Sequence, residues 1–146
     1  MLPSPNGAEV SLAAASTGAE VLAGCLGNAE AVAAAALAVG PPIAIIAAGE
    51  RWKSDGALRP SFEDLVGAGA IAQALGSLKA SPEAFAAAAV FGRLRDDLER
   101  LLLDCLSGRE LVQKGFSADV VCASKLNVSR TAPRLRDGAF VGHTSV

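Results

Sequence analysis

The stretch Ser4-Pro5-Asn6-Gly7 combines residue types that can bind an anion through backbone and side-chain donors. Asn6 is a preferred N-cap residue, and Gly7 lets a ligand approach the backbone closely because it has no Cβ. The free N–H groups at the start of a helix, together with its dipole, attract negative charge. A plain N-capped helix uses the same residues, so these four residues alone leave both interpretations open.

A second group of reactive side chains lies in the loop from Gly49 to Pro60. It follows Ile43–Ala48, an uncharged apolar run that is typical of a strand buried on both faces in a parallel sheet. Open α/β sheets bind their ligands at the carboxyl ends of such strands. We therefore expect a ligand site in this loop, with a solvated surface loop as the alternative. The charged members of the loop are Glu50, Arg51, Lys53, Asp55 and Arg59.

Two adjacent acids, Glu63 and Asp64, follow this loop in the first turn of a predicted helix. Acids in a first turn stabilise a helix through its dipole, which is the purely structural interpretation. The functional interpretation is a Mg²⁺ site, since proteins hold this ion through one or two carboxylates, waters and substrate phosphate. Glu50 and Asp55 are the candidates to assist Glu63 and Asp64 in holding the ion.

The helix that carries these acids is predicted to run to Leu75. Ser61 as N-cap, with Asp64 three residues later, resembles a capping box. Gly67 and Gly69 weaken the helix, so we expect that close packing against a neighbouring element requires both of them.

Helices and strands are predicted to alternate along the chain, which favours an α/β fold. The first half reads as helix Ala8–Thr17, strand-like run Ala19–Leu26, helix Ala29–Val39 capped by Asn28, and the strand Ile43–Ala48. This order predicts a three-layer α/β/α domain with a mostly parallel sheet. Few residues precede the first helix, so 1–146 is interpreted as the C-terminal part of a larger domain whose missing strand comes from an N-terminal section or another chain.

The second half is predicted to be mainly helical. Ser81-Pro82-Glu83 begins the longest helix, which continues to Cys105. A short helix opens near Ser107. Asp119–Ala123 fits either a strand or a helical turn, and Ala139–Val141 is predicted to be a final strand.

The amino-acid composition limits which classes of binding partner and which structural links are expected. The 146 residues carry a net charge of −2 without a long basic run, which argues against a nucleic-acid binder. Gly40-Pro41-Pro42 interrupts the uncharged stretch that comes nearest to a membrane span. Cys25, Cys105 and Cys122 are odd in number and far apart, so we expect neither disulfides nor zinc, but small buried thiols in a reducing cytoplasm.

Several stretches of the chain, taken together and in their order along it, resemble the 2-phosphosulfolactate phosphatase family. The resemblance implies an α/β, magnesium-dependent phosphatase that removes phosphate from 2-phospho-3-sulfolactate, a step towards coenzyme M. The family has a further N-terminal section bearing an Asp and an Arg, to which nothing in this chain corresponds. It usually has Asp where Asn127 stands, so a metal or base role there is not expected. The matching stretches are Leu2–Gly7, Ala23–Ala29, Ala47–Trp52, Leu58–Ile71, Ser107–Leu111 and Asp119–Phe140.

The chemistry implied by the resemblance assigns roles to the residues above. Ser4, Asn6 and Gly7 would cradle the phosphate, Arg51 would bind the substrate, and Asn6, Arg59 and Arg109 would act at the reacting group. A forked guanidinium suits a substrate with phosphate, sulfonate and carboxylate groups. The competing interpretations are a non-catalytic remnant or interaction module of the same fold, and a magnesium-dependent phosphatase for another anionic metabolite. The chain would work alone, as a homo-oligomer, or with a partner that supplies the missing strand.

Overall fold

The computed structural model describes residues 5–76 and 80–142, which form a mixed helix and strand protein. No helix in these two ranges is both long enough and apolar enough to cross a membrane. The helices are α1 Pro5–Ser16, α2 Ala29–Val39, α3 Phe62–Leu75, α4 Pro82–Leu94, α5 Leu98–Asp104, α6 Leu106–Gln113 and α7 Ser117–Ala123. The strands are β1 Glu50–Arg51, β2 Leu58–Arg59, β3 Arg134–Arg136 and β4 Ala139–Val141.

The core is built around α3, which packs against both α2 and α4. Its Val66 is fully buried, and Val32 of α2 and Phe91 of α4 belong to the same apolar cluster. Leu98 and Leu102 of α5 extend the cluster towards the C-terminal helices. Most of the remaining core positions are alanines, so the helices are held by many small contacts instead of a few large side chains.

The two glycines of α3 have different surroundings. A Cβ on Gly69 would overlap the carbonyl oxygen of Ala87 and lie 2.8 Å from the Cβ of Phe91. Gly69 therefore permits the close approach of α3 and α4, as predicted. The prediction is wrong for Gly67, where a Cβ would meet no described atom within 4 Å beyond its chain neighbours and the backbone of its own helix.

The strands of the described residues form two antiparallel pairs. Glu50 pairs with Arg59 in the β1–β2 hairpin, and Arg134 pairs with Val141 in the β3–β4 hairpin. The predicted final strand Ala139–Val141 is thus confirmed. The predicted parallel strand Ile43–Ala48 is not formed, because no described segment pairs with it. The three-layer arrangement with a parallel sheet remains a prediction.

The strand-like run Ala19–Leu26 is also not a strand. It makes a single bridge, between Leu22 and Arg134, and then enters a 3₁₀ turn at Leu26–Asn28. Glu20 explains part of this placement, since its carboxylate binds the guanidinium groups of Arg134 and Arg136 at 3.0 and 2.6 Å. The run is therefore attached to the C-terminal segment by the Glu20 ion pairs and by two backbone hydrogen bonds, from the N–H of Ala23 to Pro133 and from the N–H of Leu135 to Val21.

Several helix predictions agree with the structure, and the exceptions are an interrupted long helix and a helix that begins earlier than predicted. The range Ala29–Val39 is exact, and the Ser81 side chain accepts a hydrogen bond from the N–H of Ala84 as an N-cap should. The long helix breaks at a 3₁₀ turn, Arg95–Asp97, and Asp119–Ala123 is helical. The first helix begins at Pro5, whose fixed φ suits position N1.

Asn28 connects the segment before α2 to the segment after α7. Its side-chain amide donates to the carbonyl oxygens of Ala23 at 3.2 Å and Thr131 at 3.0 Å, and its oxygen accepts from the N–H of Cys25 at 2.8 Å. Asn28 occupies the N-cap position of α2, as predicted, but its side chain does not make the capping hydrogen bond to the helix. Asn127 does so instead, accepting from the N–H of Glu30 at 3.0 Å.

We expect Asn28→Ala to lower the free energy of unfolding by about 2–4 kcal/mol, because it leaves one N–H and two carbonyl groups without partners. Urea unfolding followed by circular dichroism measures the loss. Ser81→Ala is the matched control and should cost only about 1 kcal/mol, the usual value for one capping contact. Equal losses in the two variants would contradict a special role for Asn28.

Candidate anion-binding site

The β1–β2 hairpin surrounds a cleft of about 290 Å³. The hairpin closes through two backbone hydrogen bonds, from the N–H of Trp52 to the carbonyl oxygen of Ala57 and from the N–H of Gly56 to that of Trp52. Gly56 takes the positive φ of 70° that its turn requires. Of the predicted site residues, Glu50, Arg51 and Arg59 meet at this cleft. Its lining residues are Glu50, Arg51, Trp52, Lys53, Ser54, Arg59 and Glu110.

Arg59 is the most unusual residue of the cleft, because it is only 7% exposed. Its guanidinium donates to the hydroxyl of Ser107 at 3.3 Å and lies 5.4 Å from the centre of the Trp52 ring. Within residues 5–76 and 80–142, no carboxylate forms an ion pair with it. A buried cation without a counterion is costly, so this position favours binding of an anion.

The other two predicted arginines already have carboxylate partners. Arg51 binds the carboxylate of Glu9 at 3.0 Å and donates to the carbonyl oxygen of Gly56 at 3.1 Å. Arg109 pairs with Asp104 on the exposed surface and is not among the residues that line the cleft. Arg51 thus faces the same cleft as Arg59, whereas the structure does not bring Arg109 to it.

At the start of α1, the residues predicted to cradle an anion do not have the positions and partners expected from the sequence. Asn6 lies inside the first helical turn and is not the N-cap, because α1 already begins at Pro5. Its side-chain amide donates to the carboxylate of Glu50 at 3.0 Å, which places a negative charge beside it. The carbonyl oxygen of Gly7 accepts from Ser11 within the helix. Ser4 lies outside the described residues.

Asp64 supports the loop that precedes β1. Its carboxylate accepts a hydrogen bond from the N–H of Gly49 at 2.7 Å, which joins α3 to the start of the hairpin. The predicted capping box is therefore wrong: the Ser61 side chain makes no cap contact, and its buried hydroxyl has no partner among the described residues. Burial raises the pKa of Asp64. The Gly49 bond opposes this shift, and the charges of Glu63 and Glu50 reinforce it.

The predicted metal ligands are only partly gathered. Among the described residues, no three His, Cys, Asp or Glu side chains converge as a metal site. Mg²⁺ requires only one or two carboxylates, and the repulsion of Asp64 by Glu63 and Glu50 is of the kind that a cation relieves. Glu63 and Asp64 could therefore supply at most the one or two carboxylates that the ion needs. Asp55 does not join them, since it accepts from the N–H of Ala57 within the hairpin turn.

Sequence reasoning missed the contribution of Cys105 and Ser107 at the start of α6. The Cys105 sulfur accepts from the N–H of Gly108 at 3.4 Å and lies 3.8 Å from the carboxylate of Glu63. Burial raises the pKa of this thiol, and the negative charge of Glu63 acts in the same direction. The available signal was the position of both residues beside the motif that contains Arg109. The expectation of buried thiols fails, since Cys25 and Cys122 are exposed, and all three cysteines are free.

We expect Asp64→Asn to raise the melting temperature at pH 7. The raised pKa means that the contribution of Asp64 to stability is complete below its unfolded pKa, about 3.9, and is lost as the pH rises through the folded value. Asn keeps an oxygen for the Gly49 N–H but carries no charge. The difference between variant and parent should therefore disappear near pH 3, as measured by thermal unfolding across pH.

The matched control for this pH dependence is Glu83→Gln. Hydrogen bonds at the start of α4, from the Glu83 backbone and then Ser81, lower the pKa of Glu83, so its ionised form stabilises the fold. Neutralising it should lower the melting temperature at pH 7, opposite in sign to Asp64→Asn. A lower melting temperature for Asp64→Asn at pH 7 would contradict the assignment.

A comparison with known families finds one that matches most of the chain. The model of a family described as 2-phosphosulpholactate phosphatase matches residues 1–138. The matched range includes every residue that lines the cleft, together with Glu63, Asp64 and Ser107. A search of curated proteins found no match to the chain.

Proposed function

Because the chain belongs to the 2-phosphosulpholactate phosphatase family, we propose that it hydrolyses the phosphate ester of 2-phospho-3-sulfolactate or of a similar anionic metabolite. The observation that carries the proposal is the buried guanidinium of Arg59, which faces the cleft without a carboxylate partner among the described residues. Such a group gains a counterion when an anionic substrate enters.

We assign Arg59 to the binding of one anionic group of the substrate. Its flat guanidinium can offer parallel N–H groups to phosphate, sulfonate or carboxylate, while the Trp52 ring and the Ser107 hydroxyl hold its orientation. Lys53 and Arg51 line the same cleft and would contribute further positive charge to a substrate that carries several negative groups. In the proposal, Asn6 contacts the substrate only after its side-chain hydrogen bond to the Glu50 carboxylate is broken.

Glu63 and Asp64, with Glu50 nearby, are the residues that would hold Mg²⁺. When bound, the ion would neutralise negative charge on the phosphoryl group and so favour its transfer to water. In this proposal Asp64 has a second task, since its bond to the Gly49 N–H fixes the beginning of the hairpin that carries Arg59. The three free cysteines support a reducing compartment such as the cytoplasm.

The direct test is the release of inorganic phosphate from synthetic 2-phospho-3-sulfolactate by the purified chain, with Mg²⁺ and with a chelator. Phosphate release that requires Mg²⁺ would support the proposal. 3-Phosphoglycerate, which carries a carboxylate but no sulfonate, is the comparison substrate. Phosphate release from neither compound, by a folded protein, would favour the non-catalytic module.

Magnesium binding can be tested without activity. Mg²⁺ should raise the melting temperature of the unmodified chain, and the double variant Glu63→Gln, Asp64→Asn should lose that shift. If the pair only stabilises α3, the double variant should retain the full magnesium-dependent shift. Asp55→Asn is the matched control, because this carboxylate is engaged in the hairpin turn.

A further inference from the structure

The segment Ile43–Ala48, which joins α2 to the hairpin, lacks backbone partners. No N–H or carbonyl group of these six residues makes a hydrogen bond to any part of the chain that the structure describes. Six consecutive residues with unpaired peptide groups form the same kind of edge that an outer strand of a sheet presents. Such an edge can accept another strand through main-chain hydrogen bonds.

The side chains of this segment are apolar and face two environments. Ile45 packs against the core, which anchors the segment to the protein. Ile43 and Ile46 are 36% and 58% exposed, and Leu37 and Val39 at the end of α2 are also exposed. Four large apolar side chains exposed within ten residues are typical of an interaction surface and costly to leave in water.

We propose that Ile43–Ala48 pairs antiparallel with the same segment of a second copy of this chain. Two copies meet without opposing like charges, because no charged residue occurs from Leu37 to Gly49. A two-fold axis between antiparallel strands places one residue opposite its own copy. In the register centred on Ile46, the two Ile46 side chains meet, Ala44 lies opposite Ala48, and Ile45 lies opposite Ala47. A two-fold arrangement of this kind uses the same surface on both copies.

The ends of the segment limit the pairing to these six residues. Pro41 and Pro42 precede it, and proline has no N–H to donate to a ladder. Gly49 follows with a φ of 71° and gives its N–H to Asp64, which turns the chain away from an extended path. These boundaries fix the length of the segment that can pair.

The test compares the unmodified chain with Ile46→Lys by sedimentation velocity over a range of concentrations. The unmodified chain should form dimers. Ile46→Lys should raise the dimer dissociation constant by about tenfold or more, because paired strands would bring like charges together. Val128→Lys is the matched control: this valine is 68% exposed, lies outside the segment, and should leave the dissociation constant unchanged.

Hydrogen exchange supplies a second measurement on the same proteins. The amides of residues 43–48 should be protected at high concentration and unprotected on dilution, and Ile46→Lys should abolish that protection while its circular dichroism stays native. A monomeric parent chain, equal effects of the two lysine variants, or species larger than a dimer would overturn the proposal. None of these outcomes affects the proposed phosphatase activity, since the cleft residues lie outside the segment.

Discussion

Arg59→Met should lower kcat/KM for 2-phospho-3-sulfolactate by roughly 30- to 1,000-fold, because an anion loses its buried charged partner at a cost of about 2–4 kcal/mol. Arg59→Lys keeps the charge but loses the planar fork and its stacking on Trp52, so its activity should lie between those of Met and Arg. Arg93→Met, on the exposed side of α4, is the control and should change kcat/KM by less than about threefold.

A second measurement separates anion binding from a purely structural role of Arg59. If the residue exists to bind an anion, inorganic phosphate should raise the melting temperature of the parent chain, and Arg59→Met should abolish that increase. Without phosphate, Arg59→Met should be at least as stable as the parent, since an unpaired buried charge is removed. A marked loss of stability together with an unchanged response to phosphate would show that Arg59 serves only packing against Trp52.

A large effect on stability is expected at Gly69. Gly69→Ala places a methyl group of α3 against the Ala87 carbonyl and the Phe91 side chain of α4. Backbone atoms cannot yield as the end of a flexible side chain can, so we expect a loss of about 2–4 kcal/mol in the free energy of unfolding. Chemical denaturation of the purified variants measures it.

Gly67→Ala is a matched control for Gly69→Ala within the same helix. A Cβ at Gly67 meets open space, so the variant should gain about 0.5–1 kcal/mol from the higher helix propensity of alanine. The two substitutions therefore differ in sign although their sequence context is nearly the same. Destabilisation of similar size in both variants would mean that helix propensity and packing are not separable at this interface.

The anion site illustrates how burial distinguishes one candidate arginine from the other two. Sequence reasoning gave Arg51, Arg59 and Arg109 similar claims, because each is a guanidinium in a matching motif. In the structure Arg51 and Arg109 are exposed and bound to Glu9 and Asp104. An exposed ion pair of this kind contributes little, so both remain available to a substrate at small cost. The buried position of Arg59 depends on β2 and α6 meeting, which local sequence does not encode.

The sequence by itself determined most helices of this protein. The end of α2 before Gly40, the start of α3 after Ser61 and the start of α4 at Pro82 depend on local rules, because helical hydrogen bonds join residues four positions apart. The same local rules explain the expected short helix near Ser107. The motifs that carry the candidate site residues could be found from sequence for a similar reason, because they lie in the loop and turns that connect these helices.

Only the tertiary structure decided whether the apolar runs pair as strands and which partners the polar and charged side chains bind. A strand needs a partner that is distant in sequence, so the composition of Ile43–Ala48 could not reveal that no described segment pairs with it. In the same way, the sequence could not show that Asn6 binds Glu50, or that Asp64 binds Gly49 in place of Ser61. Each of these contacts depends on how the helices bring remote residues together, and a polar group binds whichever partner that packing places within reach.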